Sequence, residues 1–310
     1  MLKYLKDYRW ADMRQISWNN RAEQKRSNVS MAGKLCVVTG CTSGVGWEAA
    51  KALAAHGAKI VMINRNMEKS ERACEALRAA FGAECGYLLA DFADLSQVRR
   101  AADTLVQRHE RIDLLVNNVG MHSTTLTRTG DGLETVFCVN HLASFALTWL
   151  LMDTMRRSAP SRIIQVNSQG HRFGGLRLDD LAWEKRHYTG LRGYGAAKTA
   201  QLLTVWHFAQ LLQGSGVTIN AMHPGAVKSN IGNNNGHLYR WFKDTVTSRT
   251  LGDPVVSGQA IHYLATAPEL EQTSGQYFNL THPEKPAPHA LDREVGQRVW
   301  EESLRLTGLA

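Results

Sequence analysis

Tyr194 and Lys198 have the residue types and the spacing needed to move a proton. Residues four apart share one face of a helix. A phenol with a pKa of about 10 is a poor acid or base at neutral pH, but a nearby ammonium favours the phenolate and lowers that value. Ser168 follows a short apolar run, Arg162-Ile163-Ile164-Gln165-Val166, and its hydroxyl can bond a carbonyl oxygen as negative charge develops there. The spacing alone is weak, because a surface tyrosine beside a solvated lysine produces it too. What precedes it in the chain changes the reading.

Apolar β-branched runs alternate with helical periodicity along the sequence. Strands are expected at 35–38, 59–63, 86–90, 112–116, 162–166, 217–222 and 276–280. Helices are expected at 46–57, 67–81, 95–109, 132–155, 254–267 and 291–306. A further helix opens at Tyr194, with Lys198, Leu202, Val205, Ala209 and Leu212 on its inward stripe. Residues 171–193 read as an excursion containing a short helix. This alternation predicts an α/β fold: a doubly wound parallel sheet in a single domain (32–310), with an N-terminal helical extension (1–31) and a C-terminal helix. Ligands of such sheets bind at the strands' carboxyl ends. Those ends carry Asn64-Arg65, Asp91, Asn117-Asn118-Val119-Gly120, Ser168 and His223-Pro224-Gly225. Asn140 falls within the apolar stripe of the 132–155 helix, either as a core asparagine tying two elements or as part of a polar network at the site.

The first strand runs into Thr39-Gly40-Cys41-Thr42-Ser43-Gly44-Val45-Gly46 and then a helix. Gly40 allows a tight bend. Gly44 and Gly46 remove side chains where a backbone or a pyrophosphate must come close, and the helix N-terminus offers N–H groups to an anion. A P-loop is excluded, since Gly46 is followed by Trp47-Glu48.

Composition excludes several other classes. The net charge is +8, but it is dispersed rather than gathered into one basic run, so a nucleic-acid partner is not expected. Five cysteines without framework spacing read as reduced thiols in a cytoplasmic-type compartment. No stretch of 18 uninterrupted apolar residues and no secretory pattern occurs. Neither H-E-x-x-H nor C-x-x-C appears, so no metal site is expected.

The chain resembles the short-chain dehydrogenase/reductase family over about 34–280. The resemblance rests on Thr39-Gly40-x-x-x-Gly44-x-Gly46, Asn117-Asn118-Val119-Gly120, Asn140, Ser168, Tyr194-x-x-x-Lys198 and Pro224-Gly225, which occur in family order. Residues 137–142 and 223–229 look like its retinol-dehydrogenase-like branch. The resemblance implies a Rossmann-type fold and hydride transfer between a nicotinamide cofactor and an alcohol/carbonyl pair. Tyr194 would be the general acid or base, Lys198 would lower its pKa and bind the nicotinamide ribose, and Ser168 would hold the substrate oxygen. Asn140 would anchor a water in the proton relay. The turn with Gly40, Ser43, Gly44, Val45 and Gly46 would take the pyrophosphate, Asp91 the adenine amine, and Asn118 and Gly120 the adjoining ribose region. Val227 and Ser229 would lie near the carboxamide, and Pro224 would also contact the cofactor.

Family members that select NAD commonly end the second strand in aspartate. This chain has Asn64 followed by Arg65, whose guanidinium suits a 2′-phosphate, with Ser43 able to donate to it. NADP(H) is therefore expected in preference to NAD(H). The sequence departs from the family at Val119, where alanine is usual, and at Asn167, often serine. A long spacing from Ser168 to Tyr194 suggests an insertion beside the substrate mouth. Residues 230–251, with Leu238, Tyr239, Trp241 and Phe242, are expected to cover a small lipophilic substrate. Leu2, Leu5, Tyr8, Met13 and Ile16 predict a helix docked on its own domain, on a second subunit of a homo-oligomer, or, through residues 1–20, on a membrane surface. The alternative to an enzyme is a catalytically silent dinucleotide-binding sensor, which the complete Asn–Ser–Tyr–Lys set disfavours.

Overall fold

A computed structural model describes residues 4, 7, 9–227 and 252–310. Ser229, the 230–251 segment, and Leu2, Leu5 and Tyr8 lie outside the described residues. Among those described, eight strands form one sheet: β1 (Leu35–Thr39), β2 (Lys59–Asn64), β3 (Cys85–Leu89), β4 (Leu114–Asn117), β5 (Ser161–Val166), β6 (Val217–His223), β7 (Tyr277–Asn279) and β8 (His282–Pro283). Their order is β3-β2-β1-β4-β5-β6-β7-β8. All neighbours are parallel except β7 and β8. The order reverses between β1 and β4, and the ends of those two strands open the crevice in which such sheets bind ligands.

Helices α1 (Trp10–Asn19), α2 (Gly44–Ala55), α3 (Met67–Phe81), α4 (Leu95–Arg108), α5 (Thr135–Arg157), α6 (Gly190–Leu211), α7 (Val255–Thr266) and α8 (Arg293–Thr307) accompany the sheet. Successive strand residues point to opposite faces and feed two cores. Val37 joins Leu105, Leu147, Phe208 and Trp300 in one; Cys36 and Val38 join Leu53, Leu77, Ile261 and Phe278 in the other. Side chains start several helices by taking otherwise unpaired N–H groups. Asn66 accepts from Lys69 at α3, Asp94 from Ser96 and Gln97 at α4, and Asp292 from Val295 at α8.

Three elements differ from expectation. The 132–155 helix begins only at Thr135, because Gly132 turns with φ 77° and the Glu134 carboxylate then accepts the N–H groups of Val136 and Phe137. Within it, Cys138–Leu142 forms a π turn, a widening common at functional sites. Tyr194 does not open its helix: α6 starts four residues earlier, where the Thr189 hydroxyl accepts from Arg192. The short antiparallel β8 has no counterpart in the expected strands.

One described helix is long and apolar enough to cross a membrane, α5, but 83% of its most apolar window is buried in the protein. It is a core element of the fold. Among the described residues, α1 docks through polar groups, and the side chain of Met13 lies outside the described residues. Asn19 donates to Glu284 (3.1 Å), Gln15 donates to the Pro283 carbonyl (3.2 Å), and Lys285 pairs with Asp12 (3.1 Å). Its aromatic residues face outward, with Trp10 86% and Trp18 62% exposed.

Candidate active site

The turn after β1 is built for close approach. Gly40 and Gly44 take φ of 68° and 58°, which favour glycine. A Cβ on Gly46 would stand 2.3 Å from the Gly40 carbonyl oxygen and 2.4 Å from Asn118 Nδ2, so helix–turn packing itself demands glycine there. Asn118 braces the turn from β4, donating to the carbonyls of Thr39 (2.9 Å) and Gly40 (3.1 Å). Asn64 closes it from β2, where its Oδ1 accepts the Cys41 N–H at 2.8 Å. Ser43 makes no side-chain cap on α2, which leaves the N–H groups there open toward an anion. Val45 is buried in the core below, whereas Ser43 and Arg65 are exposed. Asp91 is half-buried and its carboxylate accepts from Ala93 N. Gly120 lies half-buried at the end of β4's loop. Pro224 accepts from the Ser257 hydroxyl, and Val227 is buried.

The three proton-handling residues meet at the ends of β5 and α6. Ser168 Oγ accepts from Gly170 N (3.0 Å), and both it and the Tyr194 ring lie against Gly170. Lys198 lies one turn on, with its ammonium 5.9 Å from the Tyr194 ring centroid. The lysine is buried and donates to the Val166 carbonyl (2.9 Å) and, more distantly, to Gln201 Oε1 (3.4 Å). No carboxylate pairs with it among the described residues, and burial lowers its pKa to about 7. Burial also raises the Tyr194 pKa, with the Ser168 hydroxyl opposing. That direction corrects the expectation of a lowered phenol pKa, because desolvation of the phenolate is the larger effect.

Asn140 sits in the π turn and grips the backbone of Met121, accepting its N–H (2.7 Å) and donating to its carbonyl (2.8 Å). The asparagine thus ties α5 to the loop after β4. Of the other residues at this site, only Asn167 was singled out in the sequence, as a departure from the family. His122 meets the Tyr194 ring edge-on at 5.8 Å. Gly170 lies under that ring, where a Cβ would stand 2.4 Å from it. Asn167 links Ser168 N to the Lys198 carbonyl. Gln201 gave no distinct signal, since Thr199, Thr204, His207 and Gln210 are polar residues on the same helix.

Residues 34–238 match the short chain dehydrogenase family. The chain belongs to that family. Among curated relatives, human retinol dehydrogenase 13 is 39% identical, with 91% of this chain and 87% of the relative covered. Mouse retinol dehydrogenase 12 is 34% identical over 91% of this chain and 89% of its own length. An uncharacterised protein from Mycobacterium paratuberculosis shares the fold at TM-score 0.73 and 28% identity, covering 90% of this chain and 95% of its own. A short chain dehydrogenase from Shigella flexneri complexed with NADP aligns at TM-score 0.66 and 19% identity over 82% of this chain and 99% of its own.

As a short-chain dehydrogenase this chain is an oxidoreductase of a family that binds a nicotinamide dinucleotide. The residues present fit such a group. The uncapped α2 N-terminus and the positive-φ glycines suit a pyrophosphate, and a buried cation without a carboxylate suits a polar ribose edge.

Proposed function

We propose that this protein is an NADP(H)-dependent dehydrogenase/reductase of small lipophilic alcohols and carbonyls. The observation that carries the chemistry is the gathering of Ser168 and the Tyr194 ring against Gly170, with Lys198 buried one turn away. The dinucleotide supplies or accepts the hydride when bound. Ser168 would hold the substrate oxygen, and Tyr194 would give that oxygen a proton in reduction and remove it in oxidation. Lys198 would carry positive charge beside the phenol and reach the nicotinamide ribose. Asn140 would hold the water-bearing end of the relay, and Gly40, Ser43, Gly44, Val45 and Gly46 would cradle the pyrophosphate. Asp91, Asn118, Gly120, Pro224, Val227 and Ser229 would line the rest of the cofactor.

The NADP preference rests on Arg65, exposed at the end of β2, and on Asn64 standing where a carboxylate would disfavour a 2′-phosphate. The lipophilic substrate rests on relatives named retinol dehydrogenases. Peripheral membrane contact is supported by α1, whose Trp10, Arg14 and Trp18 face outward together, and a cytoplasmic-type compartment by the five free cysteines. Tyr194→Phe tests the mechanism. It should lower kcat by about 10²–10⁴-fold while leaving dinucleotide affinity nearly unchanged, as expected for loss of a general acid–base. Turnover near wild type in that variant would refute Tyr194 as the proton-transfer group, whereas a wild type that binds dinucleotide without turnover would return the reading to a silent sensor.

A further inference from the structure

Gln201 lies three residues beyond Lys198 on α6 and is fully enclosed, with 2% of its surface exposed. Its carboxamide meets three of the elements that build the site. On one side Oε1 accepts from Asn167 Nδ2 at 2.8 Å and stands 3.4 Å from Lys198 Nζ. On the other, Nε2 donates to the Asn140 carbonyl at 3.1 Å and to Gln165 Oε1 at 3.2 Å. The orientation of the amide follows from these partners. The Asn140 carbonyl can only accept, so Nε2 must face it, and the lysine ammonium can only donate, so Oε1 must face that. Asn167 is oriented in the same way, since its Nδ2 donates to the Lys198 carbonyl (2.9 Å) and its Oδ1 accepts the Ser168 N–H (2.7 Å).

The consequence is a closed frame. Ser168 leads through Asn167 to Gln201, and Gln201 leads to Lys198 and to the carbonyl of Asn140. A glutamate or aspartate at this point would have paired the lysine and cancelled its field at the phenol. An apolar residue would have left Asn167 Nδ2 and the Asn140 carbonyl one partner short in a buried place. A neutral amide holds the ammonium without neutralising it.

We infer that Gln201 is a positioning residue of the proton-transfer site: it holds the Lys198 ammonium beside Tyr194 and keeps that charge unpaired. The inference rests on the catalytic reading of Tyr194 and Lys198. Gln201→Met keeps the volume but removes the acceptor. Lys198 then keeps its proton less well, and the phenol loses the positive field that favours its ionisation. Gln201→Glu keeps an acceptor but makes it anionic, so a carboxylate shields the ammonium from the phenol. In both variants the rising, low-pH limb of the kcat/KM profile for alcohol oxidation should move to higher pH by about one unit, the low end of what a charge change within a few ångströms produces. The decrease at neutral pH should be about tenfold, with substrate KM changed much less.

A second measurement does not use turnover. Phenolate absorbance is titrated in wild type and in each Gln201 variant, with Tyr194→Phe subtracted as the reference. The variants should ionise Tyr194 at higher pH than wild type. If either variant fails to fold, the other carries the test, because each is expected to shift the midpoint in the same direction. Lower thermal stability with both midpoints unmoved, while Tyr194→Phe is inactive, would show Gln201 to be core packing and overturn this inference alone. An active Tyr194→Phe would overturn the catalytic reading and this one with it.

Discussion

Replacing Gly170 by alanine should disable the site while replacing none of its reacting groups. The residue follows Ser168 by two and packs beneath Tyr194. A Cβ built there stands 2.4 Å from Cε1 and 2.6 Å from Cδ1 of the tyrosine ring, and 3.3 Å from Ser168 Oγ. Ordinary contact begins at 3.4 Å, so the ring has to retreat by about 1 Å. The backbone would not be the source of the effect, because Gly170 is not among the positive-φ glycines. Misplacing a reacting group by that distance costs about 10²-fold in rate, and overpacking costs about 1–3 kcal/mol of stability. Turnover followed by cofactor absorbance, with Tm measured on the same preparation, separates the two. Gly82→Ala is the control: it takes φ 63° with no neighbour within 4 Å of its Cβ, so it should lower stability by about 1 kcal/mol and leave kcat alone. A Gly170→Ala enzyme with wild-type kcat would refute the argument that the ring's seat sets its chemistry.

Arg65→Ala should weaken NADP(H) binding by about tenfold or more, the loss of a charge-assisted contact, and leave NAD(H) binding nearly unchanged. Equal losses for both cofactors, measured by fluorescence titration, would remove the basis for NADP selection. Stability should fall in acid. His141 and His171 are held at about 3 and His223 at about 4, all below the ordinary 6.5 and chiefly through burial. The unfolded chain therefore binds protons first, and stability should decline as pH drops from 6.5 toward 3, as read by denaturant titration at each pH. A flat stability profile across that window would contradict their buried neutral state. Trp10→Ala and Trp18→Ala should each reduce cosedimentation with anionic phospholipid vesicles by about tenfold or more, from ~1.5–3 kcal/mol per large apolar side chain buried. Unchanged partitioning would assign the outward face of α1 to something other than a membrane.

The strand–helix alternation, the Gly-rich turn and the Tyr194–Lys198 pair were legible in the sequence because each is a local pattern. A buried parallel strand reads as a short apolar run, α3 carries its own cap at Asn66 and its stop at Gly82, and an i,i+4 pair shares a face wherever its helix goes. The bounds of α3 accordingly agree with the expected helix at both ends. What the sequence could not determine depends on residues far apart in the chain. The π turn around Asn140 depends on the backbone of Met121 lying against it, and the late start of α5 depends on a glutamate turned back onto its own first N–H groups. The direction of the Tyr194 pKa was decided by how far the fold desolvates the half-buried phenol, a quantity that spacing does not contain. Likewise Gly170 and Gln201 look ordinary in the chain. Their importance comes from tertiary packing, which sets one beneath the tyrosine ring and the other between Lys198, Asn167 and Asn140, because close contact and hydrogen-bond valence are properties of three-dimensional neighbours and not of sequence order.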